Sequence, residues 1–149
     1  MAIAHPAVIQ AFSKVQMPYK LSSVVLELAE RALSEEGQVC ARARQRQVVS
    51  DRDYLVCGLA DPLLAGHGIG SAIGGQAANF LLVPILVQGQ RDDARARFVT
   101  EQLRERHGIS IRYVGGQAGC SGCVRITVGT ADETDALRKA LSTVLLERN

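Results

Sequence analysis

Residues Ile109-Ser110-Ile111-Arg112-Tyr113-Val114 and Cys123-Val124-Arg125-Ile126-Thr127-Val128 decide the fold of this chain. In the first, Ile109, Ile111 and Tyr113 alternate with Ser110, Arg112 and Val114. In the second, Val124, Ile126 and Val128 alternate with Cys123, Arg125 and Thr127. A strand sends successive side chains to opposite faces, so a period of two predicts two half-buried strands. If both apolar sets face a layer of helices, Arg112 and Arg125 are directed together to the other face.

Helical patterns flank these strands. Downstream, Thr130 and Glu133 have capping-box spacing, and Leu137, Ala140, Leu141, Val144 and Leu145 form an apolar stripe. Upstream, Asp92 and Asp93 suit the positive end of a helix that is amphipathic through Val99 and Leu103. Arg104, Arg106, His107 and Gly108 suit its other end. Before it, the apolar run 79–87 predicts a buried strand, in which Pro84 argues for an edge or a bulge.

Further toward the N-terminus, residues 66–75 form a glycine-rich loop after a break at Asp61-Pro62. The Arg- and Gln-rich segment from Gln38 to about Ala60 predicts a long helix with a wide solvated face. Ser22 and Ser23 offer caps to a helix striped by Val25, Leu28, Ala29, Ala32 and Leu33, with Gly37 as its expected end. Pro6, Val8, Ala11, Phe12 and Val15 predict a short first helix, stopped by Pro18 and followed by an extended Met17-Pro18-Tyr19-Lys20 link. The order predicts one α/β sandwich, helices packed on one side of a small, mostly antiparallel sheet.

At 149 residues and 47% apolar content, the chain is long enough for a single sizeable core. Lys and Arg total 17 against 15 for Asp and Glu, with no long basic run, which argues against a nucleic-acid partner. No apolar run reaches the about 18 residues of a membrane span, and no charged-then-apolar leader opens the chain. A cytoplasmic protein with no membrane partner is expected. Four cysteines, Cys40, Cys57, Cys120 and Cys123, are too sparse for a disulfide scaffold, so reduced thiols are expected.

Chemistry is concentrated in the arginine pair. Like charges on neighbouring strands cost stability unless an anion lies between them or they diverge into solvent. A guanidinium is a planar fork suited to carboxylate or phosphate, so the pair points to a doubly anionic small substrate; two solvated surface arginines are the alternative. The loop between the strands, 115–122, carries four glycines and bends close to another surface or ligand, or is simply flexible. Cys120 and Cys123 form a lone CxxC with no second pair, so no metal site is expected. The 66–75 loop follows a helix, leads into a strand and has no lysine, which excludes a P-loop. His5, His67 and His107 are scattered, and no local nucleophile or general base emerges: no catalytic residue is assigned.

Several stretches taken in order resemble histidinol-phosphate aminotransferases, fold-type I pyridoxal-phosphate enzymes. Gly122-Cys123-Val124-Arg125-Ile126-Thr127-Val128-Gly129-Thr130, followed by Ala131-Asp132-Glu133-Thr134, is similar to that family's GC(L/V)RITVGT and acidic helix start. Val15 to Ser23 resembles the segment after the family's large domain, Gln76 to Leu82 its "ANF" strand, and Gly108 to Arg112 its GI-x-x-R strand. The matches reach from the first residues to about Leu145. The resemblance implies the family's small C-terminal domain over 21–149, preceded by an interdomain segment with a short helix over 1–20.

It further implies that Arg125 binds the α-carboxylate of the amino-acid partner. Arg112 would hold the phosphate of histidinol phosphate or the distal carboxylate of glutamate. The parent enzyme would be a homodimer in histidine biosynthesis, working with pyridoxal 5'-phosphate. The family's Schiff-base segment, Ser-Lys-x-Phe-Gly-Leu-Ala, has no match here, nor do the aspartate, asparagine and tyrosine that hold the cofactor ring; Lys14, Lys20 and Lys139 lack that context. Since the lysine imine is the covalent handle and the cofactor carries the chemistry, the isolated chain is expected neither to bind the cofactor nor to transaminate. The alternatives are the small domain of another aminotransferase, for an aromatic or phosphorylated amino acid, or a non-catalytic anion-binding module.

Overall fold

The computed structural model describes residues 3–15, 22–74 and 77–147. The expected Met17-Pro18-Tyr19-Lys20 link and Gln76 lie outside them. Two compact units are present, Met1–Ala43 and Arg44–Asn149.

In the first unit, α1 (Pro6–Lys14) begins with proline at its first position and the His5 side chain accepting from the Ala7 N–H. Helix α2 (Ser23–Leu33) is capped as expected by Ser22, whose Oγ accepts from the Val25 N–H at 3.3 Å. Its end differs from the expectation. Ser34, in extended conformation, terminates it, and Gly37 lies inside α3 (Glu35–Leu59). The Ser34 hydroxyl accepts from the Gly37 N–H, so one serine closes α2 and starts α3, with Glu35 and Glu36 at the positive end. Gly37 is required for space, because a Cβ there would collide with the carbonyl oxygens of Arg31 and Ala32.

The second unit holds the sheet. Strands β1 (Phe80–Pro84), β4 (Arg112–Tyr113) and β5 (Cys123–Thr127) lie in the order β1-β5-β4, all antiparallel. Leu81 opposes Ile126 and Val83 opposes Val124, and all four are buried on the helix-covered face. Helix α5 (Asp93–His107) adds Ala96, Val99 and Leu103 to that core, and α6 (Ala131–Leu146) adds Leu137, Ala140, Leu141, Val144 and Leu145. Leu55 and Leu59 of α3 complete it with Leu64 of α4 (Pro62–Gly66). Helices cover one face of a small antiparallel sheet, as alternation predicts.

The caps follow chemistry visible in the sequence. Asp92 accepts from the Arg95 N–H at 2.6 Å, Gly108 closes α5 at φ 66°, and Thr130 and Glu133 form the full capping box of α6. Three expectations need correction. The run 79–87 is not one strand: β1 ends at Pro84, and Leu86–Val87 (β2) forms a hairpin with Gln90–Arg91 (β3), turning at Gln88 (φ 51°) and Gly89 (φ 77°). Left-handed backbone at two successive turn residues matches strand twist, which lets a two-residue turn reverse the chain. Within the 109–114 segment the strand is limited to Arg112–Tyr113, extended by one bond from the Val114 N–H to the Cys123 carbonyl. The glycine-rich 66–75 stretch includes the end of α4, which Asp61 caps and Pro62 opens, and it bridges the sheet at Ile69 to Ile85 and Ile73 to Leu82.

Arg95 was not anticipated in the core. It is 6% exposed, lies over the Phe98 ring at 5.5 Å, and donates through Nη2 to the Leu145 carbonyl at 2.7 Å, near the C-terminal end of α6. This guanidinium satisfies a helix-end carbonyl that would otherwise be buried without a donor. Arg95→Met, which keeps the apolar stem, is expected to lower unfolding free energy by about 2 kcal/mol. Chemical denaturation checks this, and an unchanged midpoint would contradict it.

Candidate functional site

Arg112 and Arg125 are direct cross-strand partners in the β4–β5 ladder. Their neighbours Tyr113 and Val124 are also partners and belong to the helix-covered face, so both arginines belong to the open one. Directly opposed side chains leave Cβ atoms about 5 Å apart. Two cations therefore extend from one short stretch of sheet.

Arg125 is half-buried and Arg112 exposed. The Arg125 guanidinium lies 5.2 Å from the centroid of Phe80, a β1 residue on the same open face. Cation–π contact holds the plane of the fork. Arg125 Nε is buried and, among the described residues, has no hydrogen-bond partner. Neither arginine forms a salt bridge among those residues. A buried donor without an acceptor carries a desolvation cost that a bound anion removes.

The glycine-bearing loop is held rather than free. Asp93, the first residue of α5, accepts from the Tyr113 hydroxyl at 2.7 Å, the Ser121 hydroxyl at 2.8 Å and the Gly122 N–H at 2.7 Å. Backbone turns from Val114 to Gln117, Gln117 to Cys120 and Cys120 to Cys123 fold the intervening chain. Gly115 has no room for a Cβ, which would enter the space of Asp93 Oδ1 and the Tyr113 ring. Gly122, at φ 66°, leaves none beside Arg91 and Asp92. Arg97 lies over the Tyr113 ring, its guanidinium 4.1 Å from the centroid.

These bonds hold the Asp93 carboxyl below the usual carboxylate range, through the Gly122 N–H first and then the Tyr113 and Ser121 hydroxyls; the same contact raises Tyr113. Asp61 is lowered too, by the Leu63 N–H and Arg138. A carboxylate with a depressed folded-state pKa contributes stability that is complete above its unfolded pKa and disappears as pH falls through the folded value. The unfolding midpoint should therefore drop on acidification below about pH 4. Asp93→Asn should flatten part of that fall, leaving the Asp61 share. Identical pH profiles for variant and parent protein would contradict the assignment.

Cys123 is buried, its thiol pushed up by burial, and Cys120 is half-buried; both are free. Among the described residues no cluster of three His, Cys, Asp or Glu side chains could hold a metal. A cleft of about 500 Å³ opens on the helix side of the sheet, lined by Ile109, Ile111, Ile126, Val128, Glu133 and Leu137 among others, and neither arginine lines it. Among the described residues no helix is long and apolar enough to cross a membrane.

The only lysines among the described residues, Lys14 and Lys139, are exposed on α1 and α6. An imine-forming lysine needs a pocket that desolvates it and seats the cofactor ring. These two do not fit pyridoxal phosphate, so no step is assigned through that cofactor on this chain.

The model of the aminotransferase class I and II family matches residues 1–141, and the chain belongs to that family. Within it, the similarity is to histidinol-phosphate aminotransferases: the one from Cronobacter sakazakii is 34% identical over 150 residues, which cover 98% of this chain and 38% of that one. The crystal structure of histidinol-phosphate aminotransferase from Sinorhizobium meliloti, in complex with pyridoxal-5'-phosphate, shares the fold at a TM-score of 0.74 and 25% identity, over 97% of this chain and 35% of that one. A decarboxylase from Sulfurospirillum multivorans reaches the same TM-score, 0.74, at 18% identity over 93% of this chain and 36% of that one, a likeness of fold alone. The chain spans little more than a third of the length of the curated relatives it matches.

Sequence reasoning missed Asp93 and Phe80 as parts of this site. Asp93 was assigned to the helix dipole. The doubled acid Asp92-Asp93 was the available signal, since one aspartate suffices as a cap and the second is left for another task.

Proposed function

We propose that this chain is the substrate-gripping small domain of a histidinol-phosphate transaminase, which transfers an amino group between L-glutamate and imidazole-acetol phosphate in histidine biosynthesis. The observation that supports it most is the direct pairing of Arg112 with Arg125 on an open sheet face, with Arg125 Nε buried and without an acceptor among the described residues. Arg125, oriented by Phe80, would take the α-carboxylate shared by both amino-acid partners. The more exposed Arg112 would take the distal anion, either the phosphate or the glutamate side-chain carboxylate. One fork that always meets the same group, beside one that adapts, suits a site that must accept two substrates in turn.

Pyridoxal phosphate would supply the electron sink when bound to a domain that carries the Schiff-base lysine. The role of this chain is to bind the substrate's two ends and so orient the atom that reacts. The whole enzyme would be a cytoplasmic homodimer. By itself the 149-residue chain is expected to show no internal-aldimine absorbance with pyridoxal phosphate and no transamination. Fused to the cofactor domain of the Sinorhizobium meliloti enzyme, it is expected to restore transfer from glutamate to imidazole-acetol phosphate. An aldimine band from the chain alone, or a chimera that binds cofactor yet prefers an uncharged side chain over the phosphate, would overturn this proposal.

A further inference from the structure

Both arginines emerge from strands joined by one loop, and a single side chain bonds both ends of that loop. Tyr113 follows Arg112 directly, Gly122 lies three residues before Arg125, and both donate to Asp93 Oδ1, while Ser121 donates to Oδ2. Gly115 lacks space for a Cβ because Asp93 and Tyr113 fill it, so the loop is built around this contact. The β4–β5 ladder is short, two residue pairs continued by one bond from the Val114 N–H to the Cys123 carbonyl, so contacts outside it help to hold its register.

We infer that Asp93 is a positioning residue for the arginine pair, fixing the register at which Arg112 and Arg125 face one anionic ligand. The inference rests on the anion-gripping role proposed above. Asp93 touches no ligand; it acts through Tyr113 and Gly122. Two accounts of this aspartate differ in sign. If it acted only through its charge, removing it would strengthen anion binding by the two cations. If it sets their geometry, removing it weakens binding, because a paired-fork site loses affinity when its supporting contacts go.

The test measures the affinity of the 149-residue chain for inorganic phosphate, through the phosphorus resonance, in the parent protein and in Asp93→Ala, Asp93→Asn and Val144→Ala. Asp93→Ala should weaken phosphate binding about tenfold, equivalent to one charge-assisted hydrogen bond. Asp93→Asn retains an oxygen for Tyr113 and Gly122 and should keep most of the affinity despite losing the charge. Val144→Ala, which truncates a core side chain of α6 and leaves all three donors to Asp93 in place, should bind as the parent does. Binding by folded Asp93→Ala that equals or exceeds the parent's would overturn the inference. If Asp93→Ala does not fold, Asp93→Asn decides: an affinity raised well above the parent's indicates a charge effect and overturns it, as does a tenfold loss. A parent chain that binds no phosphate overturns the arginine-pair proposal itself, a result distinct from either.

Discussion

Arg125→Ala is expected to lower kcat/KM for the glutamate and imidazole-acetol phosphate reaction by roughly two orders of magnitude in the chimeric enzyme. Truncating one partner of a desolvated charge pair costs about 3 kcal/mol or more, and about 1.4 kcal/mol corresponds to each factor of ten. Arg125 is placed for such an effect: its plane is held over Phe80, and its Nε is buried without an acceptor among the described residues. Arg125→Lys should recover only part of the loss, because an ammonium restores the charge without the planar fork. Steady-state kinetics with both substrates check this. An alanine variant within threefold of the parent would remove Arg125 from the site.

The largest effect on stability is expected from the helix layer. Leu141 of α6 is 1% exposed and belongs to the core formed with α5 and the covered sheet face. Leu141→Ala should lower unfolding free energy by about 3 kcal/mol, combining lost transfer energy with a cavity the surrounding side chains only partly fill. The matching fall in thermal midpoint is on the order of 10 °C. Calorimetry at neutral pH reads it directly, and a loss below about 1 kcal/mol would mean that α6 is not packed as described.

Much of this architecture was legible because it rests on periodicity and end chemistry. The alternation through 109–114 and 123–128 placed Arg112 and Arg125 on one face, and the Thr130–Glu133 box marked the start of α6. Elements whose ends depend on space rather than propensity were less visible. Gly37 carries a strong helix-stop signal, but it lies within α3 because the turn at Ser34 brings the α2 carbonyls too close for any side chain. The apolar run 79–87 conceals a change of sheet after Pro84, since hydrophobicity does not encode where a strand changes partners. The site was half visible for a related reason. Arginines at matching strand positions can be found by counting, whereas the Asp93 bonds join residues 20 to 29 positions apart through a loop whose fold local patterns do not specify.

Arg112 and Arg125 are proposed to grip the two acidic ends of one substrate. The most direct measurement is an L-glutamate titration of the 149-residue chain, followed through the arginine Nε–Hε resonances. Arg112 and Arg125 should shift along a single saturating curve, while Arg138, already paired with Asp61 at 2.9 Å, stays in place. A drift that does not saturate, or one shared equally by all exposed arginines, would show that the pair is only a solvated surface.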